Sequence, residues 1–219
     1  MENDIDASAF SHSGEVYFNE FENILTGISI CYNKLLEDKK QVPLNDENGI
    51  RDILLLDYLK NNTVKDELNI SNYLFDRETS EDISSGRVDL RVMPINPFIS
   101  DDAYYILECK RIDNKARRGT SGLNYKYIKN GVARFTTDFY SNHYNTNAMI
   151  GFVVEKVDID GNIEDINFLL ENNFKEIDIS SAIVKENFIK DFEFQYSSKH
   201  KSKSKKVIKL YHLMFDFAK

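Results

Sequence analysis

The chain has 219 residues, 42% of them hydrophobic and 29% charged, with a net charge of −8. That length suits one hydrophobic core and is short for two, and no uninterrupted apolar run reaches the length of a membrane helix, so a single soluble domain with no membrane partner is expected. The acidic balance argues against a protein that simply coats nucleic acid, since phosphate contacts come largely from lysine and arginine. The opening Met1-Glu2-Asn3-Asp4 lacks the basic start of a secretory signal, and the expected location is cytoplasmic. Cys31 and Cys109 are too few and too far apart for a disulfide framework or a zinc site, and read as free buried thiols.

Residues 1–14 are polar and read as a loose tail. Over residues 15–39 apolar positions recur at Phe18, Phe21, Ile24, Leu25, Ile28, Cys31, Tyr32, Leu35 and Leu36, the spacing of a core-facing helix. Such a stripe also suits a dimer or partner surface, although packing on the chain's own core is its commoner use. After a polar break with Pro43, Glu47 opens a second helix that runs through Ile50, Leu54, Leu55, Tyr58 and Leu59 to Asn61 or Asn62. Asn45 or Asp46 caps it, and Glu47 complements the helix dipole. Tyr73-Leu74-Phe75-Asp76-Arg77-Glu78 reads as a strand, followed by a polar turn over 79–85.

The stretch 86–110 carries the chemistry. It reads Gly86-Arg87-Val88-Asp89-Leu90-Arg91-Val92-Met93, then a turn with Pro94, Pro97, Asp101 and Asp102, then Ala103-Tyr104-Tyr105-Ile106-Leu107-Glu108-Cys109-Lys110. Both runs carry strand residues in near-alternation, which predicts two consecutive strands joined by a loop. Asp89 falls in the first strand. Glu108 and Lys110, two apart in the second, point to one face. Asp89 and Glu108 interrupt runs that look buried, where a charge is costly unless paired or bound to metal. Two such carboxylates suit a hard divalent cation such as Mg²⁺, which takes oxygen ligands and leaves positions open for water and a phosphate oxygen. A lysine beside them orients the water and offsets charge building on phosphorus. The plain alternative is a structural salt bridge of Asp89 or Glu108 with Lys110 or Arg111.

The chain then turns basic. Lys110, Arg111, Lys115, Arg117, Arg118, Lys126, Lys129 and Arg134 stand against the single acid Asp113, and a helix is expected over the second part of this stretch. The apolar run 148–155 predicts a central strand covered on both faces. A helix at 163–173 and a short helix at 182–189 follow, then strands at 192–196 and 207–215 joined by a loop rich in lysine, with Lys199, Lys201, Lys203, Lys205, Lys206 and Lys209. That loop is placed to grip a substrate backbone, with a solvated turn as the alternative. His12, His143, His200 and His212 form no metal-ligand spacing; His212 reads as a core residue and His200 as a phosphate contact from the basic loop.

The pattern Val88-Asp89 … Glu108-Cys109-Lys110 resembles the PD-(D/E)XK nuclease superfamily, the fold of many restriction endonucleases, with Val88 standing where the motif's name has Pro. The resemblance covers about residues 45–155. It implies an α/β, restriction-endonuclease-like fold with a mixed central sheet flanked by helices, to which an N-terminal helix (15–40) and a C-terminal helix and hairpin (160–219) are added within one domain, 1–219. It implies a Mg²⁺- or Mn²⁺-dependent endonuclease, with DNA ahead of RNA as substrate. Asp89, Glu108 and Lys110 would be catalytic; Asp89 and Glu108 would hold metal, joined by Glu47 or by Glu78. Tyr127 with Arg134 would contact the substrate phosphate, with packing of Tyr127 as the alternative. Arg111, Arg117, Arg118, Lys199, Lys201 and Lys203 would hold the backbone, a grip that carries no sequence information. By analogy of fold, so small a nuclease suits a defence effector against phage or plasmid DNA, controlled by a protein partner or by homodimer formation. The rival is a catalytically silent binding or scaffold subunit of a nucleic-acid-processing complex.

Overall fold

In the computed structural model residues 8–77, 87–95, 104–140 and 144–219 are described, with side chains described from residue 18 onward. Glu78, the turn at 79–85, Gly86, Pro97, Asp101, Asp102, Ala103 and His143 lie outside the described residues, as does the side chain of His12.

The first helix, α1 (Ser8–Glu37), buries Phe21, Ile24, Leu25, Ile28, Tyr32 and Leu35, the stripe read from the sequence. Its rings lie flat on the sheet, Phe21 stacked on Tyr105 with centroids 4.5 Å apart and Tyr32 on Phe215 at 4.3 Å. It is therefore one wall of the core rather than an extension from it. The second helix starts where expected, with Asp46 as its N-cap accepting from the Asn48 amide, but it is built in two parts: α2 (Glu47–Ile53) and a π-helical segment, Leu54–Leu59. A short α3 (Asn62–Glu67) leads into the sheet.

The strands are β1 (Tyr73–Arg77), β2 (Leu90–Pro94), β3 (Tyr105–Ile112), β4 (Thr146–Val153), β5 (Asp178–Lys185), β6 (Gln195–Lys201) and β7 (Val207–Asp216). They form one mixed seven-stranded sheet in the order β1-β2-β3-β4-β7-β6-β5. β3, β4 and β7 run parallel to one another, and every other neighbouring pair is antiparallel. All eight residues of β4 are buried, as its apolar run requires. Tyr105, Leu107 and Cys109 of β3 join the layer containing α1, α2 and α3, while Ile106 and Ile112 join the opposite layer. That second layer is built by α4 (Leu123–Tyr127), a π-helical segment Ile128–Val132, α5 (Ala133–Thr136) and α6 (Ile159–Asn173).

Three sequence expectations change here. The helix expected at 182–189 is absent: 182–185 belong to the strand β5 and 186–189 are irregular. The strand's β-branched residues fit an extended chain, and Asn167 on α6 clamps it by accepting from the Ile183 amide and donating to the Ile183 carbonyl, 2.9 Å each. The lysine-rich loop shrinks to a turn at 202–206, because β6 continues to Lys201. Buried Ser198 and His200 alternate with exposed Lys199 and Lys201, a two-residue period written in polar residues. The C-terminal hairpin is no appendage, since β7 bonds along the whole of β4.

Candidate active site

Antiparallel pairing of Leu90 with Leu107 carries Asp89, one residue ahead of β2, to the side of Glu108 and Cys109. The Cys109 amide donates to Asp89 Oδ2 at 2.8 Å. Glu108 and Lys110 share the β3 face that carries Ile106, and Glu47 arrives from the first turn of α2. The three carboxylates meet on one ammonium. Lys110 Nζ lies 2.8 Å from Glu108 Oε1, 3.1 Å from Glu47 Oε1, 3.4 Å from Asp89 Oδ2 and 2.6 Å from its neighbour's carbonyl oxygen, Cys109 O. The second oxygen of Glu47 accepts from the Arg111 amide at 2.9 Å, which ties α2 to the end of β3.

Glu108 has no exposed surface, and its charge is answered from a second side. Arg134 Nη1 donates to its Oε1 at 2.7 Å, and the Tyr140 hydroxyl lies 2.7 Å from its Oε2. Burial, with the Asp89 charge behind it, pushes the Glu108 carboxyl up to about 7 against the pull of Lys110 and Arg134. Burial alone would lower the Lys110 ammonium, but the Glu108, Asp89 and Glu47 charges outweigh it and hold Lys110 protonated well above its usual range. Arg51, buried among the apolar residues of α2, closes the far side, with Nη1 3.4 Å from Asp89 Oδ1 and Nε and Nη2 on Asp52 at 2.9 and 2.8 Å.

Above Lys110 opens a cleft of about 330 Å³ lined by Glu47, Lys110, Arg111, Lys126, Asn130 and Arg134. Four cations and one acid line it, and of the cations Lys110 and Arg134 are already paired with Glu108 at the floor. Asn130 reaches it from the π-helical turn, a distortion often found at functional positions.

The expected nucleic-acid contacts divide. Arg111 and Arg134 line the cleft. Arg117 and Arg118 are held by Asp165 of α6 at 2.5 and 2.6 Å. Tyr127 is wholly buried, 2.8 Å from His212 Nδ1, so packing rather than substrate contact describes it. Lys199 pairs across from Lys209, whose Nζ reaches Tyr211 Oη and Glu22 on the α1 side of the sheet, so Lys199 and Lys201 face away from Glu108 and Lys110. Lys203 is exposed in the 202–206 turn, its amide bonded to Thr136 O at 3.0 Å. His200 is fully buried against Ser198, which removes it from any phosphate, while His212 is the core residue expected.

Tyr140 and Arg51 were not found from the sequence. Arg51 had a signal, a charge inside an apolar helical stripe that needs a buried partner. Tyr140 had none.

Comparison with protein-family models, with curated proteins and with solved structures finds no match for this chain. The site stands on its geometry.

The donor set suits a hard cation, since a carboxylate oxygen from each of three acids and a backbone carbonyl surround one positive centre. The Lys110 ammonium is that centre here. Among the described residues no group of three or more acidic, histidine or cysteine side chains is placed to hold a metal ion as they stand, Asp89, Glu108 and Glu47 included. No helix among the described residues is long and apolar enough to cross a membrane.

Proposed function

We propose that this protein is a metal-dependent nuclease of the PD-(D/E)XK type that hydrolyses phosphodiester bonds in nucleic acid, DNA ahead of RNA. The observation that carries this reading is the convergence of Asp89, Glu108 and Glu47 on Lys110 at the floor of a cationic cleft. Asp89 and Glu108, with Glu47, would hold Mg²⁺ or Mn²⁺, which supplies a water of lowered pKa and a Lewis acid for the phosphoryl oxygen. The chain's own residues do the remaining work. Arg111, Lys126 and Arg134 draw the phosphate backbone into the cleft and offset its charge. Lys110, protonated throughout the physiological range, donates to the attacking water and to the phosphoryl oxygen on which charge develops. Tyr140 and Arg134 fix the rotamer of Glu108, and Arg51 with the Cys109 amide fixes that of Asp89. A restriction-endonuclease-like fold and a role in defence against phage or plasmid DNA, with a protein partner or a second copy controlling activity, belong to the same proposal.

The silent-scaffold reading draws on one observation, that the Lys110 ammonium already occupies the centre on which the three carboxylates converge. Purified protein is incubated with double-stranded DNA, single-stranded DNA or RNA in Mg²⁺, Mn²⁺ or EDTA, beside Asp89→Ala and Lys110→Ala. Metal-dependent cutting that both substitutions abolish is the expected result. Absence of cutting together with absence of Asp89-dependent Mn²⁺ binding by calorimetry would overturn the metal-nuclease reading and leave the scaffold.

A further inference from the structure

A second concavity lies away from the carboxylates, on the α1 side of the sheet. Lys110 pairs with Gly151 of β4, whereas Lys209 pairs with Thr146, five residues earlier on that strand, a separation of roughly 17 Å along the strand direction. The cleft there has a volume of about 560 Å³ and is lined by Phe18, Tyr144, Asn145, Lys199, Val207 and Lys209. That volume falls within the range of small-molecule sites, about 300–1,000 Å³.

Its lining is of two kinds. Phe18 and Tyr144 present aromatic rings, and Tyr144 is braced from behind by Tyr105, with centroids 4.7 Å apart. Lys199 and Lys209 present two ammonium groups. They are cross-strand partners on one face, where like charges repel. Lys209 is also half-buried, and burial, reinforced by the Lys199 charge, lowers its ammonium from the usual range despite the opposing charges of Glu22 and Glu186. Lys209 Nζ lies 3.8 Å from Glu22 Oε1 and donates to the Tyr211 hydroxyl at 2.9 Å; the same Glu22 oxygen accepts from that hydroxyl at 2.6 Å, and Glu186 accepts from Ser197 Oγ at 2.5 Å. Neither lines the cleft. Two cross-strand lysines, one exposed and one at the 3.8 Å edge of an ion pair with Glu22, beside two aromatic rings match a ligand with a flat aromatic body and an anionic group. A bare inorganic anion would leave the rings unused, and a neutral aromatic would leave the lysines unanswered.

We propose that this cleft binds a nucleoside phosphate, its base against Phe18 and Tyr144 and its phosphate on Lys199 and Lys209. The inference does not rest on the nuclease reading, because it concerns other residues on another face.

The test is calorimetric titration of the full-length protein, in EDTA, with AMP, GMP, CMP and UMP, alongside adenosine, inorganic phosphate and benzoate. At least one nucleotide should bind more tightly than all three comparison compounds. Lys209→Met and Phe18→Ala should each weaken it by roughly tenfold, the size of one lost charge-assisted or stacking contact. Asp89→Ala should leave it unchanged. Lys199→Met, at an exposed position, carries the test if thermal unfolding shows that Lys209→Met does not fold. The proposal is overturned if no nucleotide binds, if phosphate or benzoate binds as tightly, if the folded lysine variants bind normally, or if Asp89→Ala abolishes binding.

Discussion

Glu108 is the residue whose surroundings determine what the site can do. It is fully buried, yet four groups act on it: two cations, a tyrosine hydroxyl and the neighbouring Asp89 charge. Removing the hydroxyl in Tyr140→Phe leaves Glu108 Oε2 without that partner and Arg134 Nη1 without its second acceptor. A loss of about 1–3 kcal/mol in urea unfolding is expected, the cost of a buried polar atom left unpaired. A change within error would mean that water replaces the hydroxyl. Lys110 gives a sharper test, because its ammonium occupies the centre that a metal would share. Lys110→Met leaves three carboxylates repelling one another, so the variant should be less stable than wild type in EDTA and should gain more in melting temperature from Mn²⁺. An equal or smaller gain would show that the carboxylates do not form a cation site. The closeness of Asp89, Glu108 and Lys110 was legible in the sequence because two strands consecutive in the chain pair and the strand period puts Glu108 and Lys110 on one face. Tyr140 was not, because it reaches Glu108 from 32 positions further along the chain and the contact is made by tertiary packing alone.

At the scale of elements, the cleft depends on where α4 begins. Gly122 is its N-cap residue, and a Cβ there would fall 2.3 Å from the carbonyl oxygen of Ala116, a backbone atom that cannot swing aside. The turn over 115–122 closes on itself through Gly119 N to Ala116 O at 2.8 Å and Gly122 N to Gly119 O at 3.2 Å, so it has little slack. Gly122→Ala should therefore cost about 1–3 kcal/mol, as overpacking does. It should also weaken nucleic-acid binding through Lys126, measured by fluorescence anisotropy with an oligonucleotide in Ca²⁺ or EDTA. Wild-type affinity and stability would mean that the turn relaxes freely. The same scale shows where sequence patterns mislead. Helix α1 was readable because its apolar stripe runs for many turns. Strand β5 was not, since 178–185 buries a single residue, and what makes it a strand is the ladder to β6 and the Asn167 clamp. The polar alternation of Ser198, His200, Lys199 and Lys201 misled in the opposite sense: a hydrophobicity pattern cannot register a strand whose buried face is hydroxyl and imidazole.

At the scale of the whole molecule, that polar face forms a chain through the second layer. Tyr127 Oη meets His212 Nδ1, His212 Nε2 meets Ser198 Oγ, and Ser198 Oγ meets His200 Nε2, each at 2.8 Å. Burial lowers both imidazoles from the usual 6.5, His200 to about 4 and His212 to about 3, so both are neutral in the folded protein. The unfolded chain takes up these protons near 6.5. Between that pH and about 4 it binds more protons than the folded chain, and the stability contributed by the two histidines falls as the pH drops through the window. The slope is ~1.4 kcal/mol per pH unit for each histidine. Glu108 acts in the opposite sense, because its raised carboxyl favours the folded state at low pH and loses that contribution as the pH rises through about 7. The wild-type profile therefore mixes the two. Comparing wild type with His200→Gln at several pH values removes the His200 contribution together with its effect on His212, while Glu108, which lies apart from the substitution, cancels in the difference. The variant's slope of urea-unfolding free energy between pH 6 and 4.5 should be shallower by roughly 1 kcal/mol per pH unit. Equal slopes would mean that His200 is charged or solvated in the folded chain, and the buried relay would then have to open at acid pH without unfolding the sheet.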